Sequence, residues 1–226
     1  MTQVPPRRKL VVYVDGFNLY YGLLKANPQL RWLNLRRMIE KMYSRDEIVH
    51  IKYFTARVDD DGRTTHSDKR VRQNTYCSAL QNTGVVVIDG RLEYRDKQCN
   101  ASHCTLETPR YFRAPVEKMT DVNIALHLVD DAATLNPDVF VVISGDTDLI
   151  PALQRITQMG ARTGNKVLKR VHIPCSAEAF KNRRVDEFGL NCWITNRLTE
   201  ENVSAALFPE QIQEAGAVLT KPASWN

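Results

Sequence analysis

The chain is expected to fold as an α/β protein with a mostly parallel central sheet and helices on both faces. Three observations predict this. The short apolar runs Leu10 to Val14 (LVVYV), Val85 to Asp89 (VVVID) and Val139 to Ile143 (VFVVI) have the length and β-branched content of strands buried on both faces. Segments with apolar residues at helical spacing stand between them. Such alternation calls for right-handed βαβ crossovers, which cover both sides of the sheet.

The first strand is closed by Asp15 and Gly16. Helical patterns follow over Phe17 to Lys25 and Leu35 to Tyr43, split by the breaker Asn27-Pro28. A second strand is expected over Ile48 to Thr55, a polar turn over Asp59 to His66, and a helix from about Ser67 to Asn82 that ends at Gly84. After Asp89 the periodicity vanishes from Arg91 to Pro115, and loops that long are usually functional or disordered. A helix over Thr120 to Ala133 has Thr120 as its expected N-cap and Asp121 in its first turn. The strand Val139 to Ile143 ends at Ser144, Gly145 and Asp146. A helix over Leu149 to Gly160 comes next, then strands near Val167 to Ile173 and Cys192 to Ile194. Residues 1–195 thus form the expected domain, and 196–226 a loosely packed tail interrupted by Pro209 and Pro222.

Composition narrows the class. With 226 residues, 43% hydrophobic and 25% charged, the chain can bury one substantial core. A formal charge of +5 favours polyanions weakly. Neither a secretory leader nor a run of about 18 apolar residues is present, so a cytoplasmic protein with no membrane span is expected. The cysteines (Cys77, Cys99, Cys104, Cys175, Cys192) are odd in number and sparsely spaced, which suits a reducing compartment.

Ligands of open parallel sheets bind beyond the carboxyl ends of the strands. Asp15 ends one buried strand there, Asp146 and Asp148 follow another, and Asp121 opens the helix that leads into the second. Carboxylates gathered in this way raise one another's pKa unless a cation intervenes, and hard Mg²⁺ or Mn²⁺ prefers oxygen ligands. Such an ion supplies an activated water and stabilises charge on phosphate oxygens. Each acid also has a plainer role: Asp148 or Asn18 could cap a helix, and Asp121 could complement a helix dipole. Caps alone do not explain why Asp15 and Asp146 punctuate two buried strands at one sheet edge.

At these positions VVYVDGFNLYYG (Val11 to Gly22), EKMTDVNIALHLVDDA (Glu117 to Ala132) and VVISGDTDLIPALQ (Val141 to Gln154) resemble the signature segments of the NYN domain family, also called DUF88 or LabA-like, within the PIN-like nucleases. DKRVRQNTYCSALQNTGVVVIDGRL (Asp68 to Leu92) resembles that family's basic helix and following strand, and KPASW (Lys221 to Trp225) is similar to tails of some members. The resemblance implies a PIN-like three-layer α/β/α sandwich and metal-dependent hydrolysis of RNA, single-stranded more readily than paired. It implies metal-binding roles for Asp15, Asp121, Asp146 and Asp148, and a polar catalytic partner in Asn18. Pairing of two copies is expected by the same analogy. The pair Met119-Thr120 departs from the Gly and small apolar residue expected before the aspartate, which bears on loop shape more than on metal binding.

Ser144, Thr147, Lys118, Lys69, Arg70 and Arg72 are candidates to contact the substrate phosphates, against the plainer expectation of local backbone bonding for the hydroxyls and a solvated face for the cations. Cys99, His103 and Cys104, with Cys77 or His66, offer zinc-type ligands at poor spacing, so zinc is a minor expectation beside magnesium or manganese. Two rivals to the nuclease are a nucleic-acid-binding or adaptor protein with a non-catalytic acidic site, and a phosphoesterase acting on small nucleotides. No phosphate-cradling glycine loop supports the latter.

Overall fold

Strand β1 (Lys9–Asp15) is buried at every residue after Lys9, as its apolar run requires, and it sits mid-sheet between two parallel neighbours. The computed structural model describes residues 6–57, 64–101, 103, 105, 110–181, 194–214 and 217–225. The other strands of the central sheet are β2 (Glu47–Ala56), β3 (Val86–Gln98), β4 (Tyr111–Lys118), β5 (Val139–Ile143), β6 (Leu168–Pro174) and β7 (Ile194–Leu198), while Gln211–Glu214 and Ala217–Thr220 pair apart as an antiparallel hairpin. The central sheet is seven-stranded in the order β4-β3-β2-β1-β5-β6-β7, parallel throughout except for the antiparallel β3–β4 pair.

From β1 the chain winds outward through β2 to β3, with α1 (Gly16–Leu19), α2 (Leu35–Met42) and α3 (Thr64–Asn82) between the strands. It then returns by α4 (Thr120–Thr134) to β5, on the other side of β1, and continues through α5 (Ile150–Thr163) to β6. Because successive residues of a strand face opposite ways, β1 divides its side chains between two cores. Leu10, Val12 and Val14 pack with residues of α2 and α3, whereas Val11 and Tyr13 pack with residues of α4 and α5. The result is the expected three-layer α/β/α sandwich. Winding reverses between β1 and β5, so a crevice opens at their carboxyl ends, where sheets of this kind bind ligands.

Two regions differ from the sequence reading. Between Arg91 and Pro115 the chain forms no long loop: β3 runs on to Gln98 and pairs with β4 as an antiparallel ribbon from Arg91↔Lys118 to Gln98↔Tyr111. The ribbon is largely exposed beyond Tyr94, so no buried face imposes an alternating pattern on it. The segment after residue 196 also packs more tightly than expected. Leu198, Val203, Ala206, Phe208 and Trp225 are buried in the core, and Trp225 lies against Trp32 and Tyr76. The expected strand at Cys192 to Ile194 begins at Ile194, and its first two residues lie outside the described ones, as does most of the Asp59 to His66 turn. Among the described residues no helix is long and apolar enough to cross a membrane.

One buried polar network ties α4 to the sheet. Lys52 Nζ donates to both oxygens of Asp131, at 2.8 and 2.7 Å, and the Tyr13 hydroxyl donates to Asp131 Oδ2 at 2.6 Å. All three side chains are at least nine-tenths buried by residue. This pair was not legible from the sequence, because Lys52 falls in a strand where polar residues are expected to face solvent.

Candidate active site

Asp15 ends β1 with its carboxylate turned back over the first helical turn. Oδ1 accepts from the Asn18 N–H at 2.9 Å, while Oδ2 accepts from Asn18 Nδ2 at 2.7 Å and from Ser144 Oγ at 2.8 Å. Asn18 completes a bridge by accepting the Gly145 N–H at 3.1 Å. Ser144 Oγ in turn accepts the Asp146 N–H at 3.0 Å, and Asp146 Oδ1 accepts the Asp148 N–H at 2.9 Å. One continuous chain of hydrogen bonds therefore joins the ends of β1 and β5. Ser144 and Asn18 orient Asp15. Asp146 caps the short turn Thr147–Leu149, and helix α5, for which Asp148 was the expected cap, starts after Leu149 with no side-chain cap.

Asp15 is buried at 1% exposure, and burial pushes its carboxyl pKa up, opposed by the bonds from Asn18 and Ser144 and assisted by the nearby Asp146 charge. Asp121 reaches about 6, chiefly through partial desolvation and then through repulsion from Asp146, Asp15 and Asp148. A further acid, Glu117, reaches about 7 by burial, with Asp15, Asp121 and Asp146 adding to the rise and the Thr120 hydroxyl opposing it. Among the described residues its Oε1 and Thr120 Oγ1 are buried and make no well-formed hydrogen bond, so the Thr120 hydroxyl lies close to the carboxylate without satisfying it. Glu117 was not among the expected site residues because it lies at the edge of the stretch without periodicity. Its signal was a carboxylate four residues ahead of Asp121, within a segment already singled out.

Helix α4 enters the site through an unusual turn. Thr120 is not the N-cap; that position belongs to Met119, whose φ of 77° lies in the left-handed region and whose side chain makes no capping bond. A Cβ at Gly90 would lie 2.7 Å from Thr120 Oγ1 and 2.9 Å from the Lys118 carbonyl oxygen, so the bare backbone there lets β4 and the helix start close over β3. At the other wall, a Cβ at Gly16 would lie 2.7 Å from the Phe54 carbonyl oxygen and 2.7 Å from the Tyr53 hydroxyl.

Among the described residues no salt bridge reaches Asp15, Glu117, Asp121, Asp146 or Asp148, and no three His, Cys, Asp or Glu side chains form a ready metal cage. The donor set is nonetheless all hard oxygen, mutually repulsive and partly orphaned. It fits Mg²⁺ or Mn²⁺ held by one or two carboxylates with water completing the shell, the usual habit of magnesium. It does not suit zinc. Of the zinc-type candidates, Cys77 is buried in the core, His103 is exposed and Cys99 is half-buried with its N–H bonded to the Arg110 carbonyl, while Cys104 lies outside the described residues.

Beside the acids a cleft of about 340 Å³ begins at Gly16 and passes between the first helix, α3 and the β3–β4 ribbon. Lys69 and Arg72 line it with Gln73 and Tyr76 from one face of α3, as their helical spacing dictates. Arg70 is not part of this lining, and Lys118 is half-buried at the end of β4. Thr147 and Asp148 are exposed on the turn after β5. Two histidines of regular structure are engaged away from the acids: His172 Nε2 lies 2.5 Å from the Tyr43 hydroxyl and its pKa is driven down to about 4 by burial and then by Arg170, and His127 Nδ1 lies 3.2 Å from Lys52 Nζ.

Comparison with known proteins gives the chain its family. A curated relative, 6-hydroxy-3-succinoylpyridine 3-monooxygenase HspA of Pseudomonas putida, is 28% identical over 246 residues, which cover 95% of this chain and 74% of the relative. A solved structure, a protein of unknown function from Vibrio parahaemolyticus, aligns with 92% of this chain and 100% of its own at 17% identity and a TM-score of 0.49. The model of the NYN domain matches residues 9–183, a span that takes in β1 through α6 (Ala177–Lys181) and all five acids, and the chain belongs to this family of PIN-like nucleases.

Proposed function

We propose that the protein is a metal-dependent ribonuclease that hydrolyses phosphodiester bonds of single-stranded RNA. The observation that carries this reading is the meeting of Asp15, Glu117, Asp121 and Asp146 at the reversal point of the sheet, where each of the first three is pushed toward protonation and none is paired with a protein cation among the described residues. Bound Mg²⁺ or Mn²⁺ would neutralise these carboxylates, acidify a water and stabilise charge growing on the phosphate oxygens. Asp15 is held still by Asn18 and Ser144, so it serves as the fixed ligand, with Asp146 beside it. Glu117 and Asp121, whose pKa values are raised by burial and by their acidic neighbours while no cation among the described residues offsets them, would join Asp15 and Asp146 in holding the ion. Lys69 and Arg72 seat the backbone phosphates.

The test is cleavage of labelled single-stranded RNA with Mn²⁺ by the wild type and by Asp146→Asn. Cleavage is expected to need both the ion and the carboxylate. Equal cleavage by the two proteins rejects the mechanism.

A second reading follows from the curated relative, whose name describes an oxygenase acting on a pyridine that carries an acid side chain. The aromatic, cation-lined cleft favours an aromatic acid as well as a nucleotide. Oxygen consumption with a hydroxylated succinoylpyridine and a two-electron reductant, together with inertness toward RNA, would select that reading.

A further inference from the structure

The cleft beside the acids is lined by an unusual concentration of rings. Tyr53, Tyr76 and Trp225 are buried beneath it, while Tyr20 and Tyr21 stand on its wall at 37% and 59% exposure. Large aromatic side chains that stay exposed beside a cavity are more informative than isolated surface rings. Three cations, Arg31, Lys69 and Arg72, share the lining, and none of them forms a salt bridge among the described residues. Arg31 is fixed by donating to the carbonyl oxygens of Leu24 and Lys25, and its guanidinium lies over the Tyr20 ring at 5.4 Å. Rings below and beside, with held positive charge at the rim, match a planar aromatic group bearing an anion.

The ribbon shows how this cleft relates to the acids. In an antiparallel pair, directly opposed residues point to the same face, and so do residues two apart. Tyr94 opposes Pro115 and Leu92 opposes Glu117, so these four share one face. Tyr94, Pro115 and Leu92 line the cleft, and Glu117 continues the row into the acidic cluster. On the opposite wall Gly16 lines the cleft immediately after Asp15. The ring-lined space therefore adjoins the carboxylates, next to Asp15 on one wall and next to Glu117 on the other.

We propose that the cleft seats one unstacked nucleobase of the RNA strand, with Arg31, Lys69 and Arg72 on the flanking phosphates, and that this seat presents the adjoining phosphodiester to Asp15 and Glu117. The proposal rests on the nuclease reading for its substrate but makes a separate demand, that the base next to the cut contributes binding. A volume of about 340 Å³ takes one base and its sugar and excludes a stacked duplex. Stacking on aromatic side chains tolerates every base, so the seat selects unpaired structure and not sequence.

The experiment uses the full chain and a short oligoribonucleotide carrying 2-aminopurine at successive positions, with EDTA present so that binding is read without cleavage. One position, adjoining the cut mapped with Mn²⁺, is expected to change fluorescence. Tyr21→Ala, at an exposed site that folding tolerates, weakens that oligonucleotide about 5-fold or more, and Lys69→Glu weakens it through the phosphates. An abasic residue at the same position lowers cleavage there about 10-fold in the wild type. If the abasic and intact strands bind and react alike, or if Tyr21→Ala and Lys69→Glu change nothing, the base seat is refuted even while Asp146 remains essential for cleavage. If fluorescence behaves as expected but Asp146→Asn cleaves as well as wild type, the seat stands and the nuclease mechanism falls. Binding of benzoate or a pyridine carboxylate, with no competition from uridine or adenosine monophosphate, assigns the cleft to small aromatic acids and overturns the proposal.

Discussion

Helix α4 carries a carboxylate cluster near each of its ends, and the two are built in opposite ways. Near its carboxyl end Asp131 is buried, yet both its oxygens receive Lys52 and one also receives Tyr13. At its amino end Asp121 joins Asp15, Glu117 and Asp146, with no ammonium or guanidinium paired to any of them among the described residues. Burial occurs in both places, for Asp131 at one end and for Asp15 at the other, while Asp121 itself is exposed. The difference is the counter-ion: the fold supplies one for Asp131 and withholds one from the other group. A carboxylate completed by the protein holds the structure together, and carboxylates left uncompleted are available to something that arrives from solution.

The sharpest way to break this comparison is to remove the counter-ion. Lys52→Met leaves Asp131 buried and uncompensated, and such a loss costs about 3–5 kcal/mol of stability, measured by urea unfolding. Asp146→Asn should do the reverse at the other end: it relieves repulsion, leaves stability at pH 8 unchanged or raised, and lowers RNA cleavage by about 10²–10³-fold, some 3–4 kcal/mol in the barrier. Were both variants equally destabilised, the two clusters would be structural alike.

The sequence made one of these clusters visible and hid the other. Asp15 and Asp146 stood out because each ends an apolar run, and an apolar run ending in acid has few purely structural explanations. Lys52 and Asp131 looked like polar positions on a strand and a helix, since a sequence does not say that the two will meet inside the core. Glu117 was obscured for a different reason. The β3–β4 ribbon is largely exposed, so burial imposes no period on it, and the residues that carry Glu117 to the site read as loop. The same lack of pattern hid the cleft, because Tyr20, Tyr94 and Trp225 come from three distant parts of the chain.

A weaker effect sharpens the comparison through pH. Glu117 and Asp121 have ordinary values of 4.5 and 3.8, raised in the folded protein to about 7 and about 6. Over that interval the folded state keeps protons that the unfolded chain has released, so stability falls as pH rises through it. Both groups retain contact with water, which reduces the effect to about 1 kcal/mol, roughly 2–4 °C in Tm for a domain this size. Metal-free protein should therefore melt higher at pH 5 than at pH 8 by more than Glu117→Gln does, and Mn²⁺ should raise Tm at pH 8 and scarcely at pH 5. A Tm difference between the two pH values that Glu117→Gln leaves intact would show that the charge repulsion lies elsewhere.

The smallest expected effect concerns how the uncompleted cluster is held. Met119 adopts φ 77° with its side chain 55% exposed, so it gains little from packing while occupying backbone space that disfavours a Cβ. Left-handed geometry costs a non-glycine residue about 1–2 kcal/mol, and glycine's extra freedom in the unfolded chain returns about 0.5–1 kcal/mol of that. Met119→Gly should thus stabilise the protein by about 0.5 kcal/mol, and Met119→Val, branched at Cβ, should destabilise it more than an ordinary surface change. Cleavage gives the more telling readout. If the turn merely connects β4 to α4, both variants keep the wild-type rate. If the turn sets the distance of Asp121 from Asp15, Met119→Val loses activity beyond its loss of stability while Met119→Gly retains it, and the strain at residue 119 is then what holds the two carboxylates together.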